Sequence, residues 1–538
     1  MSSSVGLSSA AESRQGESES VAVGPVQVAY VLAVIVLAGA GIWLRAAHVD
    51  AQSMWADEGY TTWLTKYRFA AILSVLPNDN HPPLYYFLLH VWRSVFGSSV
   101  FAMRGLSVIA SVLCLPVIYV LGRKIFQSWL CALIALAFAS ISFLPIWYAQ
   151  EVRGYALLEF ESSVCVLSMI FALEKMAPIR LLLVSLFGAA VLYTHTMTLF
   201  YIPGFVIFWM IYPSALSKRQ RLNYGAAASG IMLLIYAPWI SILRQQIRGV
   251  HSDFWAVRPG LTTLLDVVCS YCGVATHDLQ VAFRTHLPGT KLFGFMTWVP
   301  IVMLALGFGL YQGLSHQKND VRRKALAMAA ISVLPIVLAF VDSRVLTPIF
   351  IDRVFMGAGV FLPLVFCFPV AFSAARNLSL RLTPVVVVLM IAGLSCAVRH
   401  EKRDDWRGVT EYALNLPVPH REVFAFQPFC QMLMDYYANR LPNPVESVEL
   451  SGLMTKAGLE DEADPKPHIP VLANADPLGT LGEEIDSHRY AEIDVALQMY
   501  RLTPGLLAMP KFMETHCSSM SVIDFGGIRV TRCMLSQH

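Results

Sequence analysis

The chain has 538 residues, 56% of them hydrophobic and only 14% charged, with a formal net charge of +3. A charged fraction so far below the roughly one quarter of an average soluble domain, with a mean hydropathy of +0.55, excludes an ordinary soluble globule and predicts an all-α polytopic membrane protein. The small net charge, without a basic stripe of interleaved aromatics, excludes a nucleic-acid partner.

Residues 1–24 are rich in Ser, Gly, Ala and Glu without an apolar period, and are expected to be a disordered cytoplasmic N-terminus. The apolar run from Val26 to Leu44 is the first expected span; its long leader carries little positive charge, which argues against a cleaved signal peptide. A polar segment over 45–99 follows. Further runs near the roughly 20 residues a span needs lie at 100–121, 128–147, 155–173, 180–195, 197–213, 224–243, 293–313, 325–341, 354–373 and 382–398, for about eleven spans in all. The pair meeting between His195 and Met197 reads equally as two short spans or as a re-entrant pair. Lysine and arginine gather in alternate short connections, at Arg123-Lys124, Lys175 to Arg180, 218–221, Lys318 to Lys324 and Arg376 to Arg381. By the positive-inside rule these face the cytoplasm, which puts residue 1 inside and the C-terminus outside.

From 399 to 538 the composition turns polar. A strand is expected over Glu422–Phe426, and a hairpin over Val522–Phe525, Gly526-Gly527 and Ile528–Thr531. The chain is thus expected to comprise the tail 1–24, a transmembrane module over 25–398 and a small extracytoplasmic α/β domain over 399–538. Of the ten cysteines, Cys114, Cys131, Cys165, Cys367 and Cys396 lie in apolar runs, and Cys269-x-x-Cys272 lacks the second pair of a zinc site, so all seven read as structural. Cys430, Cys517 and Cys533 lie in the tail, where an oxidising compartment would permit one disulfide.

This topology places four polar clusters on the outer face: Trp55 to Tyr60, Asp79 to Leu84, Tyr148 to Tyr155, and Asp352-Arg353. Ionisable groups at a membrane boundary are costly unless paired or wet. Taken singly, Asp57 and Glu58 read as solvated loop acids, His81 before two prolines as a turn residue, and Arg153 as a snorkelling span end. Glu159 and Glu161, inside a span, need a partner or a cavity, and Arg153 is one candidate partner.

Ser53-x-Trp55-x-Asp57-Glu58, His81-Pro82-Pro83-Leu84-Tyr85, Trp92, Phe96-Gly97 and Arg104 together resemble the first outer loop of the GT-C glycosyltransferases. That group includes the protein O-mannosyltransferases, the lipid A aminoarabinose transferases and their bacterial relatives. Gln150-Glu151-x-Arg153-x-Tyr155 resembles a motif that opens a later span in the group, and Asp405-Trp406-Arg407 one that follows the last. Asp352-Arg353 is similar to another, with Val354 where the family has tyrosine.

The resemblance implies an enzyme that takes a sugar from a polyprenyl-phosphate carrier at the outer surface of a bacterial inner or cell membrane and passes it to a hydroxyl of a glycan, lipid or protein. The carrier's tail stays among membrane lipids, so the site must lie at the boundary. The leaving phosphate needs cationic or hydrogen-bonding groups, for which Arg153, Arg353 and His81 are the candidates. The acceptor hydroxyl needs a base, and a carboxylate in a half-dry pocket, its pKa raised, supplies one. Asp57 is the expected base, with Glu58 positioning the acceptor or holding Asp57. Gln150, Glu151 and Tyr155 are further site candidates. One base and one departing phosphate suggest inversion. A divalent metal, magnesium or manganese, is compatible with this chemistry, although no ligand cluster calls for one. The tail is expected to shape the acceptor site without catalytic groups.

The competing class is a transporter or flippase of a lipid-linked sugar, kept open by Glu159, Glu161 and His195. It would place ionisable groups near mid-membrane on broken helices in related halves, and the sequence shows no repeat. A non-catalytic partner of an envelope complex would have a degenerate first loop, whereas Asp57 and Glu58 are both present. An oligosaccharide transferase or ligase is a further alternative within enzymes.

Overall fold

The apolar runs fold as helices, each punctuated by the residues that terminate it. In this computed structural model, residues 25–252, 256–276, 293–372, 377–397, 404–414, 421–425, 428–438, 440, 481, 492–498, 508–526 and 528–535 are described. The expected tail 1–24 and the Cys430 side chain lie outside them.

Helix α1 (Pro25–Ala46) is followed by α2 (Ala56–Leu64), α3 (Phe69–Val75) and α4 (Leu84–Phe96) of the 45–99 segment. Then come α5 (Val100–Phe126), α6 (Trp129–Ile141), α7 (Phe143–Ala149), α8 (Tyr155–Glu174), α9 (Pro178–Thr194), α10 (Tyr201–Ile211), α11 (Lys218–Tyr236), α12 (Ile240–Ser252) and α13 (Leu261–Tyr271). After 293 follow α14 (Phe293–Leu314), α15 (Asn319–Ser332), α16 (Leu334–Val345), α17 (Met356–Gly359), α18 (Cys367–Phe372) and α19 (Leu378–Ala397). Capping fits the local sequence: Ser99 accepts from the Ala102 N–H at 3.1 Å to start α5, and Ser217 with Gln220 makes a reciprocal box at α11.

Among the described residues seven helical stretches are long and apolar enough to cross a membrane, and nine if two bent pairs each count as a span. The expected span 128–147 is one such pair, bent by 52° between α6 and α7, and 354–373 is the other, bent by 47° after α17. Pro145 and Pro363, which bring no N–H donor, lie just past the first break and just past the second. The expected spans 180–195 and 197–213 are the short helices α9 and α10, of 17 and 11 residues, joined by His195 in extended backbone and a 3-10 turn over Thr196–Phe200.

A buried arginine repairs the first break. Arg45, at the end of α1 and wholly buried, donates to the carbonyl oxygens of Ala139 (2.7 Å) and Ser140 (3.3 Å), to Gly41 O and to the Ser111 hydroxyl. The carbonyls that α6 leaves open at its end are thereby satisfied. Gly357 and Gly359 let α17 lie against its neighbours: a Cβ at either would fall 2.2 Å from Ser162 Oγ or 2.1 Å from the Tyr271 ring.

The tail contributes α20 (Trp406–Leu414), α21 (Pro428–Ala438), α22 (Met509–His516) and a four-stranded sheet of order β1-β2-β4-β3. Its strands are β1 (Arg421–Ala425), β2 (Glu492–Gln498), β3 (Cys517–Phe525) and β4 (Ile528–Leu535). Strands β1 and β2 run parallel and the other pairs antiparallel. The expected hairpin is present as β3–β4, turning at Gly526 with φ +69°, and Cys517 and Cys533 form a disulfide across it. Asp405 caps α20 by accepting from the Gly408 N–H at 3.0 Å, and Trp406 is wholly buried. Trp406, Leu433, Tyr437 and Val530 share one hydrophobic core with Met54, Tyr85 and Val152, so the sheet and the first outer segment are packed as one body.

Candidate active site

Helix α2 begins directly after Trp55, which puts Asp57 and Glu58 in its first turn, where the helix dipole favours negative charge. Glu58 Oε2 reaches back to accept from the Trp55 N–H at 3.2 Å. Successive helical residues point about 100° apart, and the two carboxylates meet opposite fates.

Glu58 turns inward and is wholly buried. Arg104 of α5 grips it with two bonds, Nε to Oε1 at 2.8 Å and Nη2 to Oε2 at 2.7 Å, and the Val152 N–H donates to Oε1 at 2.9 Å. Arg104 also donates to the carbonyls of Val49, Gln52 and Ser53. Glu58 therefore ties the 45–99 segment to α5 and to the 150–154 loop. It touches no open space from which an acceptor could reach it.

Asp57 turns outward, with its side chain 20% exposed and Oδ2 3.7 Å from Arg353 Nη2. Arg353 sits in the short helical turn Asp352–Phe355 and lies over the rings of Trp55 (5.5 Å) and Tyr155 (6.0 Å). Asp352 holds that turn: its carboxylate accepts from the Tyr148 hydroxyl at 3.3 Å, and its carbonyl from Tyr271 at 2.6 Å.

Arg153 approaches the same space from the loop between α7 and α8. Its Nη1 donates to Thr61 Oγ1 at 3.0 Å, one turn along α2 from Asp57, and its Nη2 lies 3.1 Å from His81 Nε2. Burial disfavours its charge, but Tyr155, Tyr86 and Asp57 outweigh that and hold the guanidinium firmly protonated. His81 Nδ1 lies 3.2 Å from Asp79 Oδ1. Burial, and then the neighbouring Arg153, lower the His81 pKa below its ordinary value, against the pull of Asp79. Tyr155 lies between the two arginines and edge-on to Tyr148 at 5.0 Å.

The other two candidates do structural work nearby. Gln150 donates to the carbonyls of Leu44, Arg45 and Ala47, capping the end of α1. Glu151, buried, accepts from the Trp147 indole N–H at 2.8 Å. Asp57, His81, Arg153, Tyr155 and Arg353 thus converge, while Glu58, Gln150 and Glu151 support them from behind.

Asp79 belongs to this constellation as well, although the sequence singled out only its histidine neighbour. Its carboxylate accepts from the hydroxyls of Tyr86 (2.7 Å) and Tyr60 (3.3 Å) and from the backbone N–H groups of Asn80 and His81. Burial alone would raise its pKa, but the His81 bond, the charge of Arg153 and the Tyr86 bond bring it down to about 2. An Asp two residues ahead of a histidine is an Asx-turn signal that could have marked it; nothing in sequence brings Tyr60 and Tyr86 together. His195, at the α9–α10 junction, stands edge-on to His81 at 4.9 Å. Glu161 accepts from Thr194 at 2.7 Å within the helix layer. No three His, Cys, Asp or Glu side chains gather as a metal site among the described residues.

Residues 80–242 match the sequence family described as dolichyl-phosphate-mannose-protein mannosyltransferase. That stretch holds His81 and the Gln150–Tyr155 motif but not Asp57 or Arg353. No curated protein matches the chain. Among solved structures, apo ArnT from Cupriavidus metallidurans superposes with a TM-score of 0.53 at 15% identity, over 94% of this chain and 98% of that one. The same protein bound to undecaprenyl phosphate gives 0.47 at 14% identity, over 94% and 97%. The Archaeoglobus fulgidus oligosaccharyltransferase with zinc and sulfate gives 0.49 at 10% identity, over 92% and 72%. The mannosyltransferase-family match thus covers residues 80–242, and the likeness to apo ArnT is one of overall fold.

Proposed function

We propose that the chain moves one sugar from a polyprenyl-phosphate donor to an acceptor hydroxyl on the extracytoplasmic face, with inversion, and that Asp57 is the general base. The observation carrying this reading is the convergence of a partly exposed carboxylate, Asp57, with two guanidinium groups, Arg353 at 3.7 Å and Arg153 beyond Thr61. The acceptor hydroxyl gives its proton to Asp57 as its oxygen attacks the anomeric carbon. The bond from that carbon to the phosphate oxygen breaks, and the electron pair stays with the phosphate. Arg353 and Arg153 meet the growing charge, in a site where water competes little. A retaining route needs a second carboxylate free to act as nucleophile, and Glu58, locked to Arg104 at 2.7 Å and 2.8 Å, is not free.

The same reading orients the chain. The Cys517–Cys533 disulfide and the alternation of basic connections favour an outer tail and an inner N-terminus. The division at 24 and 398 follows from this orientation, with the tail closing over α2 to shape the acceptor side. Asp57 would be the residue to hold a magnesium or manganese ion, which would supply further positive charge for the leaving phosphate. The arginines, however, already bring positive charge there, so the mechanism routes no step through a metal.

The test is release of polyprenyl phosphate from a panel of polyprenyl-phosphate sugars by the purified protein, with Asp57→Asn beside it. The expected loss is about 10²- to 10⁴-fold, the usual share of a general base, with the variant still folded. Release that survives Asp57→Asn would remove Asp57 from this role. No release from any donor, with crude membrane extract supplied as acceptor, would turn the reading to the transporter.

A further inference from the structure

The two helix breaks lie side by side. Between Ser142, at the break of α6 and α7, and Met356, Val360 and Pro363, around the break after α17, is a small space of about 20 Å³ against Glu159 of α8. Glu159 and Ser142 are 1% and 3% exposed. Glu159 Oε2 and Ser142 Oγ, both buried, make no hydrogen bond among the described residues.

A buried carboxylate oxygen without a donor is costly, and the Cys114 thiol, which bonds the Glu159 carboxylate, is a weak donor. Arg45 acts on Glu159 through space, which balances its charge. It makes no hydrogen bond to Glu159 Oε2: four of its five N–H groups donate to Ser111, Gly41 O, Ser140 O and Ala139 O. A space of this size is that of about one water molecule, and polar walls make such a space wet where apolar walls leave it dry.

We propose that a single water is bound here as a fixed part of the protein, donating to Glu159 Oε2 and bonded to Ser142 Oγ. Tyr271 lines the same space; its hydroxyl proton goes to the Asp352 carbonyl at 2.6 Å, which leaves its oxygen able to accept from the water. A cation fits less well: Arg45 already offsets the one carboxylate, and no three ligating side chains gather there among the described residues. The water completes hydrogen bonding at the breaks that aim the 150–154 loop and Arg353 toward Asp57. Like Arg45, it makes broken helices tolerable inside a membrane.

Radiolytic labelling of the full-length protein in lipid nanodiscs, read by mass spectrometry, tests this. X-rays make hydroxyl radicals from ordered water in place, so a buried methionine beside bound water oxidises while one in a dry core does not. Met356 lines the space at 1% exposure, and Met103 and Met328, at 0%, serve as dry references. The expected result is oxidation of Met356 several-fold faster than of either reference, falling to their rate in Ser142→Val, which fills the space and removes the hydroxyl. Equal rates for the three methionines in the wild type would overturn the proposal without recourse to any variant. So would an undiminished Met356 rate in a folded Ser142→Val.

Discussion

At the scale of single residues, the neighbouring acids Asp57 and Glu58 separate into a proposed chemical role for Asp57 and a structural one for Glu58 because a helix turns them apart. Removing one partner of a buried ion pair leaves the other charge uncompensated, at about 3–5 kcal/mol. Glu58→Gln should therefore lower thermal stability in detergent by about that much, and Glu58→Gln with Arg104→Met should cost less than the sum of the two single changes. Asp57, 20% exposed, should tolerate Asn within about 0.5 kcal/mol; a large loss of stability there would make it a structural residue. His81 carries a pH dependence. Its pKa is lowered in the folded protein, so its contribution is fully present above about pH 6.5 and is lost as pH falls through the lowered value. The thermal midpoint should drop as pH falls from about 7 to about 5, and His81→Asn should flatten that slope. An equal slope in the variant would assign the titration to another group.

At the scale of elements, the docking of α21 on α2 holds Asp57, the proposed base, in place. The Tyr437 hydroxyl accepts from the Met54 N–H at 2.7 Å, just ahead of α2, and Arg407 of α20 donates through its backbone to Ser53 Oγ at 3.1 Å. Gly59 lies where a Cβ would come 2.6 Å from Leu433 of α21. Overpacking of this kind costs about 1–3 kcal/mol, against a gain of up to about 1 kcal/mol from replacing a helical glycine. Gly59→Ala should destabilise the native chain, and in a Leu433→Ala background it should be neutral or stabilising. A double-mutant cycle on thermal midpoints measures the coupling, and additive changes would mean that α21 is not seated on α2.

For the whole molecule, orientation is the quantity to establish, and the disulfide reports it. Cys517 and Cys533 are 16 residues apart, a loop whose closure is worth about 3 kcal/mol in chain entropy. In intact cells the pair should resist alkylation until a reductant is added, as thiols in an oxidising compartment do. Alkylation without reductant would put the tail on the cytoplasmic side and reverse the orientation. Cys517→Ser with Cys533→Ser should weaken the sheet without unfolding the helical layer, because the sheet's inner core of Ile493, Val495, Met509 and Met513 is distinct from that layer.

Composition and apolar run length determined that this is a membrane protein and placed most of its helices, because hydrocarbon rejects unsatisfied backbone and fixes the length of what crosses it. Local spacing also determined the β3–β4 hairpin and the motifs around Asp57, His81, Arg153 and Arg353, which a short stretch of chain carries by itself. Only the tertiary structure decided what those motifs do. That Glu58 is gripped by Arg104, that Gln150 caps α1, and that Asp79 with Tyr60 and Tyr86 backs His81 are contacts between residues 7 to 106 positions apart. The breaks in α6–α7 and after α17 are likewise invisible to hydropathy, since a bent apolar helix and a straight one have the same composition. What steadies the first of them, Arg45 reaching from α1 to the carbonyls of Ala139 and Ser140, comes from a helix that meets it only once the chain has folded.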